Sequence, residues 1–212
     1  MPAKKKNPIR LLVVDDHPAF RMGLAALIQS QPDMEVAAEC GDGKQAVELF
    51  RRMKPDVTLM DLRLPGLSGV EAILAIRKEF PEARVIVVTT YDWDEDVYRA
   101  IQSGAKSYLL KDMTQEQIAG TIRAVHAGEQ KLPSNVADRL AERLKREELT
   151  QREQEVLTLL TKGRSNKEIA SDLSLSEDTV KYHLKTLFTK LGVQDRTEAA
   201  ISAIRHGIVH LD

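Results

Sequence analysis

The first 128 residues alternate five short β-rich runs with longer helical patterns, and this alternation constrains the fold more than any other feature. The runs are Ile9–Val14, Met34–Glu39, Val57–Met60, Val85–Val88 and Ser107–Leu110. Helical patterns follow them near His17–Ser30, Lys44–Met53, Gly69–Glu79, Trp93–Ser103 and Thr114–Ala127. Parallel strands cannot be joined by a tight hairpin; each pair needs a crossover, usually a helix. Five such units in a row predict an α/β domain, a doubly wound five-stranded parallel sheet covered on both faces. The first, third and fourth runs are near-continuous Val, Ile and Leu, as doubly covered strands should be.

Polar residues stand where these strands end. Asp15 and Asp16 follow the first strand, Asp61 the third, Thr89 the fourth and Lys111 the fifth. Ligands of open parallel sheets bind beyond the carboxyl ends, where strand order reverses. In the order 2-1-3-4-5 that point lies between strands one and three, so the three carboxylates converge in one crevice. Close carboxylates repel one another and need a cation. A hard divalent ion such as Mg²⁺ fits, since it takes few carboxylates and keeps some waters. Carboxylates, a hydroxyl and a lysine around such an ion suit phosphoryl transfer, which needs charge neutralisation and positioning. The natural acceptor is an aspartate, as an aspartyl-phosphate. A phosphohydrolase with Asp61 as nucleophile would want a second acid two residues on, and Arg63 stands there. The chain is therefore read as a non-enzymatic protein. His17, beside two acids, is read as the start of the first helix, facing the loop, rather than as a metal ligand.

From Gly128 the character changes. Residues 129–148 read as a charged, partly helical linker, and residues 149–212 contain no strand signal. Four helices are expected: Gln151–Lys162, Lys167–Leu173, Glu177–Leu191 and Arg196–His206. Thr150 with Glu153 makes a capping-box pattern, and Asn166 and Ser176 precede the next two helices as caps. A short helix, a turn and a longer capped helix predict a helix-turn-helix within an all-α domain. On the longer helix Val180, Leu184, Leu187, Phe188 and Leu191 form the core stripe. Lys181, Tyr182 and Lys185 lie off it, in the half that meets base edges in such motifs. Asn166, Lys167, Thr179 and Lys190 are expected phosphate contacts. Ala199, Ala200, Ala203 and Ile204 offer a small-residue patch for a dimer, or equally part of the domain's own core.

Charge does not announce nucleic acid. The first 144 residues hold 20 basic against 21 acidic residues, and the last 68 hold 11 of each. DNA binding must come from locally placed charge, which predicts weak, salt-sensitive binding by one copy and a need for dimerisation. A single cysteine, Cys40, excludes an internal disulfide framework and fits a reducing cytoplasm. No apolar run is long enough to span a bilayer. The Lys4-Lys5-Lys6 run reads as a solvated arm.

Four ordered segments, Val13–Pro18, Leu59–Gly66, Val88-Thr89 and Gly104–Asp112, resemble the receiver domain of bacterial two-component response regulators, over about Ile9 to Gly128. The segments Leu149–Leu157, Gly163–Ala170, Leu175–His183 and Lys190–Val193 resemble the LuxR-type DNA-binding domain. Together they are similar to the NarL/FixJ class. The resemblance implies a flavodoxin-like receiver over 8–128, a linker over 129–148 and a four-helix DNA-binding domain over 149–212. It implies that Asp61 accepts a phosphoryl group from a sensor histidine kinase. Asp16, Asp61 and the backbone carbonyl of Arg63 would hold Mg²⁺, with Asp15 assisting through water. Lys111 would pair with the phosphoryl group. Thr89 and Tyr108 would be the switch pair, the hydroxyl moving toward phosphate and the ring following inward. The implied partners are the kinase, double-stranded DNA and a second copy of the chain, with no membrane. A regulator whose receiver works without phosphate is the alternative, and the complete acidic site speaks against it.

Overall fold

The computed structural model describes residues 7–90, 93–130 and 132–209; the Lys4-Lys5-Lys6 run lies outside them. The chain divides into two compact units, residues 1–92 with 97–137 and residues 93–96 with 138–212.

In the first unit β1 (Ile9–Val14), β2 (Met34–Cys40), β3 (Val57–Met60), β4 (Val85–Thr89) and β5 (Ser107–Leu110) form one sheet in the order 2-1-3-4-5. Every pairing is parallel. The helices are α1 (Pro18–Gln29), α2 (Gly43–Met53), α3 (Gly69–Glu79), α4 (Asp94–Gln102) and α5 (Gln115–His126). One sheet face packs against α1 and α5 through Leu24, Leu27, Ile28, Ile118, Ile122 and Val125, meeting Leu11, Val13, Val57, Leu59, Ile86 and Val88. Alternation along β3 sends Thr58 and Met60 to the opposite face. All four β3 residues are buried, which is why the sequence shows an apolar run and not an alternating one.

Thr58 is the exception in that run. Its hydroxyl is fully buried and has no hydrogen-bond partner. A buried, unpaired hydroxyl keeps its desolvation cost without compensation. Thr58→Val, which has nearly the same shape, is therefore expected to stabilise the protein by about 1 kcal/mol. Urea unfolding monitored by circular dichroism would show this as a raised midpoint at unchanged slope. A lowered midpoint would mean that the hydroxyl is satisfied.

The connector carries α6 (Ser134–Leu144). The second unit contains α7 (Gln151–Thr161), α8 (Asn166–Asp172), α9 (Glu177–Leu191) and α10 (Arg196–Arg205). They share a core of Val156, Leu157, Leu160, Ile169, Val180, Leu184 and Leu187 with Ala199 and Ala203. The small-residue patch on α10 thus belongs in part to the domain's own core. Local chemistry sets each helix start. Thr150 with Glu153 and Ser165 with Glu168 form complete capping boxes. The cap of α8 is Ser165 and not Asn166, because the serine can pair with Glu168 three helical positions on. Gly192 ends α9 in the left-handed region (φ 66°), a conformation glycine adopts at no steric cost. Among the described residues no helix is long and apolar enough to cross a membrane.

Candidate functional site

The site follows from strand register. Val14 pairs with Met60 at the ends of β1 and β3. The Asp61 amide continues the ladder by donating to the Val14 carbonyl at 2.8 Å, and the Asp15 amide donates to Cys40 at 3.0 Å. Asp15 and Asp61 are thereby set side by side, with 1 % and 3 % of their surface exposed. On the far side the Lys111 amide donates to the Thr89 carbonyl at 2.8 Å, placing the base of the lysine beside the end of β4. The loop after β3 is pulled tight: the Gly69 amide donates to Leu62 at 2.9 Å. A Cβ at Gly69 would collide with the Asp61 carbonyl oxygen, so this glycine lets α3 start against the site.

The Lys111 ammonium bridges the two buried acids, 2.6 Å from Asp15 Oδ2 and 2.7 Å from Asp61 Oδ2. Its side chain is 9 % exposed and lies 4.7 Å from the centre of the Phe20 ring. Burial pushes the Asp61 carboxyl above its ordinary range; Lys111 pulls it down, Asp15 pushes it further up, and the net direction is up. For Lys111, burial acts to lower the ammonium, but hydrogen bonds to Asp15 and Asp61 outweigh it and the net direction is up. One charge thus compensates two.

Asp15, Asp16, His17 and Asp61 each bring a donor atom within 4.8 Å of the others. The three carboxylates of this set suit a hard dication, and the ammonium between two of them shows that positive charge is favoured there. The Arg63 amide lies 3.3 Å from Asp61 Oδ1. Asp16, His17, Phe20, Asp61, Arg63 and Lys111 line an open pocket of about 550 Å³. Thr89 is buried at the end of β4. The Tyr108 ring is fully buried as it stands.

In the second unit α9 turns Val180, Leu184 and Leu187 inward. Lys181, Tyr182 and Lys185 are exposed, Tyr182 at 67 %. Lys181 pairs with Asp178 at 2.9 Å. The Thr179 hydroxyl lies 2.8 Å from that of the capping Ser176. Lys167 is exposed and Asn166 half-buried at the start of α8. Lys190 is placed differently. Its ammonium lies 2.8 Å from the buried Glu153 carboxylate and donates to the Glu148 carbonyl at 3.0 Å. Burial raises the Glu153 carboxyl, but bonds from Lys190 and Thr150 outweigh it and leave it below its ordinary value. No local pattern marks this pairing, since the two residues lie 37 positions apart.

Comparison with known proteins bears on both units. Residues 11–123 match the family model for the response regulator receiver domain. The chain is a response regulator. Residues 147–203 match the model for bacterial regulatory proteins of the luxR family, so this response regulator also carries a LuxR-type helix-turn-helix domain. It is 44 % identical to the transcriptional regulatory protein LiaR of Bacillus subtilis, over 95 % of this chain and 100 % of that one. It is 39 % identical to the response regulator protein VraR of Staphylococcus aureus, over 95 % and 99 %. Among solved structures it resembles the response regulator ChrA of a heme-sensing two-component system, with TM-score 0.59, 34 % identity and coverage of 96 % of this chain and 100 % of ChrA. It also resembles RcsB in a complex with DNA, with TM-score 0.68, 25 % identity and coverage of 92 % and 98 %. The response regulator belongs to a family of DNA-binding transcriptional regulators of two-component systems.

Proposed function

We propose that this response regulator is switched by phosphorylation of Asp61 and acts on DNA through α9. The observation that carries the reading is the Lys111 ammonium held between the buried Asp15 and Asp61 carboxylates. The donor is a phosphohistidine of a sensor kinase. An Asp61 carboxylate oxygen attacks phosphorus, the P–O bond forms as the P–N bond breaks, and the proton needed by the leaving imidazole comes from solvent. Asp61 is nucleophilic because it is ionised, and its attack is directed because the Gly69 turn and the β1–β3 ladder fix its backbone.

Asp16, Asp61 and the Arg63 carbonyl would hold Mg²⁺, with Asp15 acting through water. Bound there, the ion would neutralise phosphoryl oxygens and counter the charge of the acids. Lys111 turns its ammonium to the phosphoryl oxygens once they compete for it. Thr89 follows with its hydroxyl, and Tyr108 packs behind it. Any population shift must come from interactions that differ between the two states; the phosphoryl contacts of Lys111 and Thr89 are such interactions. The phosphorylated form favours a homodimer on paired half-sites or frees the DNA-binding domain. Acting on double-stranded DNA, the regulator is read as a cytoplasmic protein.

On DNA, Lys181, Tyr182 and Lys185 meet base edges, and Asn166, Lys167 and Thr179 meet phosphates. Lys190 serves instead to tie α9 to Glu153 and the start of α7. Recovery of genomic DNA fragments by the full chain, with and without a small phosphodonor, tests the reading. Fragments should be enriched with the donor, and the Lys181→Ala/Lys185→Ala variant should lose about tenfold or more of that enrichment. Unchanged enrichment in the variant would remove α9 from the interface. Enrichment that ignores the donor would reduce the receiver to a scaffold.

A further inference from the structure

Apolar residues pack α9 onto α7: Val180, Leu184 and Leu187 share one core with Val156, Leu157 and Leu160. Apolar burial is non-directional, so by itself it lets one helix turn or slide against the other at small cost. A helix that reads base edges has little room for such play, because each contact must fall within hydrogen-bond distance. A polar bond between the same two helices removes that freedom. The Lys190 ammonium, in the last turn of α9, lies 2.8 Å from Glu153 Oε2 in the first turn of α7.

Both partners are themselves held. Glu153 Oε2 accepts the Thr150 amide at 2.8 Å, and the Glu153 amide donates to the Thr150 hydroxyl at 3.3 Å. Lys190 also donates to the Glu148 carbonyl at 3.0 Å, so its ammonium grips the segment that opens α7 at two points. The two side chains are only 16 % and 4 % exposed. A charge-assisted bond with so little water around it is short and directional. Lys181 and Lys185 precede Lys190 by nine and five residues, about 2.5 and about 1.4 helical turns. Both therefore stand on the far side of α9 from Lys190, and the pair grips the back of the helix while its front stays exposed.

We infer that Glu153 is a positioning residue for sequence reading: through Lys190 it fixes the angle and depth at which α9 presents Lys181, Tyr182 and Lys185 to the bases. The pair then contributes to discrimination between DNA sequences and not to general attraction for the phosphate backbone. The inference rests on the proposed reading of α9.

DNA binding by the full chain, treated with a small phosphodonor, tests it at several salt concentrations. The probes are the genomic fragment that the native chain enriches most and a random duplex of equal length. Lys190→Met alone strands a buried carboxylate and can unfold the domain. Glu153→Gln/Lys190→Met removes both charges, a replacement that is often neutral for stability, and Gln keeps the capping box with Thr150. Its affinity for the fragment should fall by about tenfold, the order of one mismatched base pair. Its affinity for the random duplex should stay within about twofold, with the slope of log affinity against log salt unchanged. A slope reduced by about 1 on both duplexes would make Lys190 a phosphate contact and overturn the inference. An undiminished preference for the fragment, or an equal loss on both duplexes, would leave the pair a support of the domain only and overturn it too. A native chain that prefers no fragment overturns the reading of α9 itself, and the inference with it.

Discussion

Asp61→Asn is expected to take up no phosphoryl label from a small phosphodonor in the presence of Mg²⁺, where the native chain takes up about one equivalent. The amide has almost the same shape but neither the negative charge nor the nucleophilic oxygen that an acyl phosphate needs. Loss of label would not reflect unfolding. Burial pushes the Asp61 carboxyl up, so the folded chain holds the ionised form at a cost, and the neutral amide removes that cost while still accepting a bond from Lys111. Asp15 is a poor substitute, since its Oδ1 accepts the His17 amide and its Oδ2 holds Lys111. Asp16 is 35 % exposed in its side chain and lies against His17. Label persisting on the variant would move the acceptor to one of these two.

Lys111→Met is expected to destabilise the metal-free protein by about 3–5 kcal/mol at neutral pH, the usual result when one partner of a buried charge pair is removed. Two carboxylates at 1 % and 3 % exposure would be left facing each other without a cation. Chemical unfolding in a chelator measures the loss, and added Mg²⁺ should recover part of it by binding the folded state. The pH dependence has a definite sign. In the native protein the folded Lys111 value lies above its ordinary 10.5. Its contribution is therefore complete below that pH and is lost as pH rises through the folded value. In the variant Asp61, raised by burial and by Asp15 and no longer pulled down by Lys111, protonates more readily folded than unfolded. The folded state then binds more protons, and this site contributes more stability as pH falls through the carboxylate range. A loss below about 1 kcal/mol would show that the acids are relieved another way, by sharing a proton or by water.

The strand and helix pattern was legible because covering a parallel sheet on both faces demands unbroken apolar runs, and those appear in β1, β3 and β4. Structure extended two of the strands by one residue, β2 to Cys40 and β4 to Thr89. Capping chemistry is local, so the starts of α7 and α9 were readable from Thr150 and Ser176. The start of α8 was displaced by one residue because Ser165 and Asn166 both satisfy the local preference, and the pairing with Glu168 decides between them. The acidic cluster could be located because strand ends are fixed by topology.

Placement of side chains was another matter. Periodicity offered Ala199 and Ala203 equally to a dimer and to the core, and packing against Leu157 and Leu187 in one cluster resolved this toward the core. Lys190 read as a phosphate contact, and the fold brings Glu153 of α7 against it. His17 looked like a helix start facing a loop, and it is one; its ring nonetheless reaches Asp16. The order of elements and the residues at strand ends are legible along the chain, since both depend on near neighbours and on the period of apolar residues. Which charges neutralise one another is set by the folded chain, because that depends on distances between segments tens of residues apart, which no local pattern encodes.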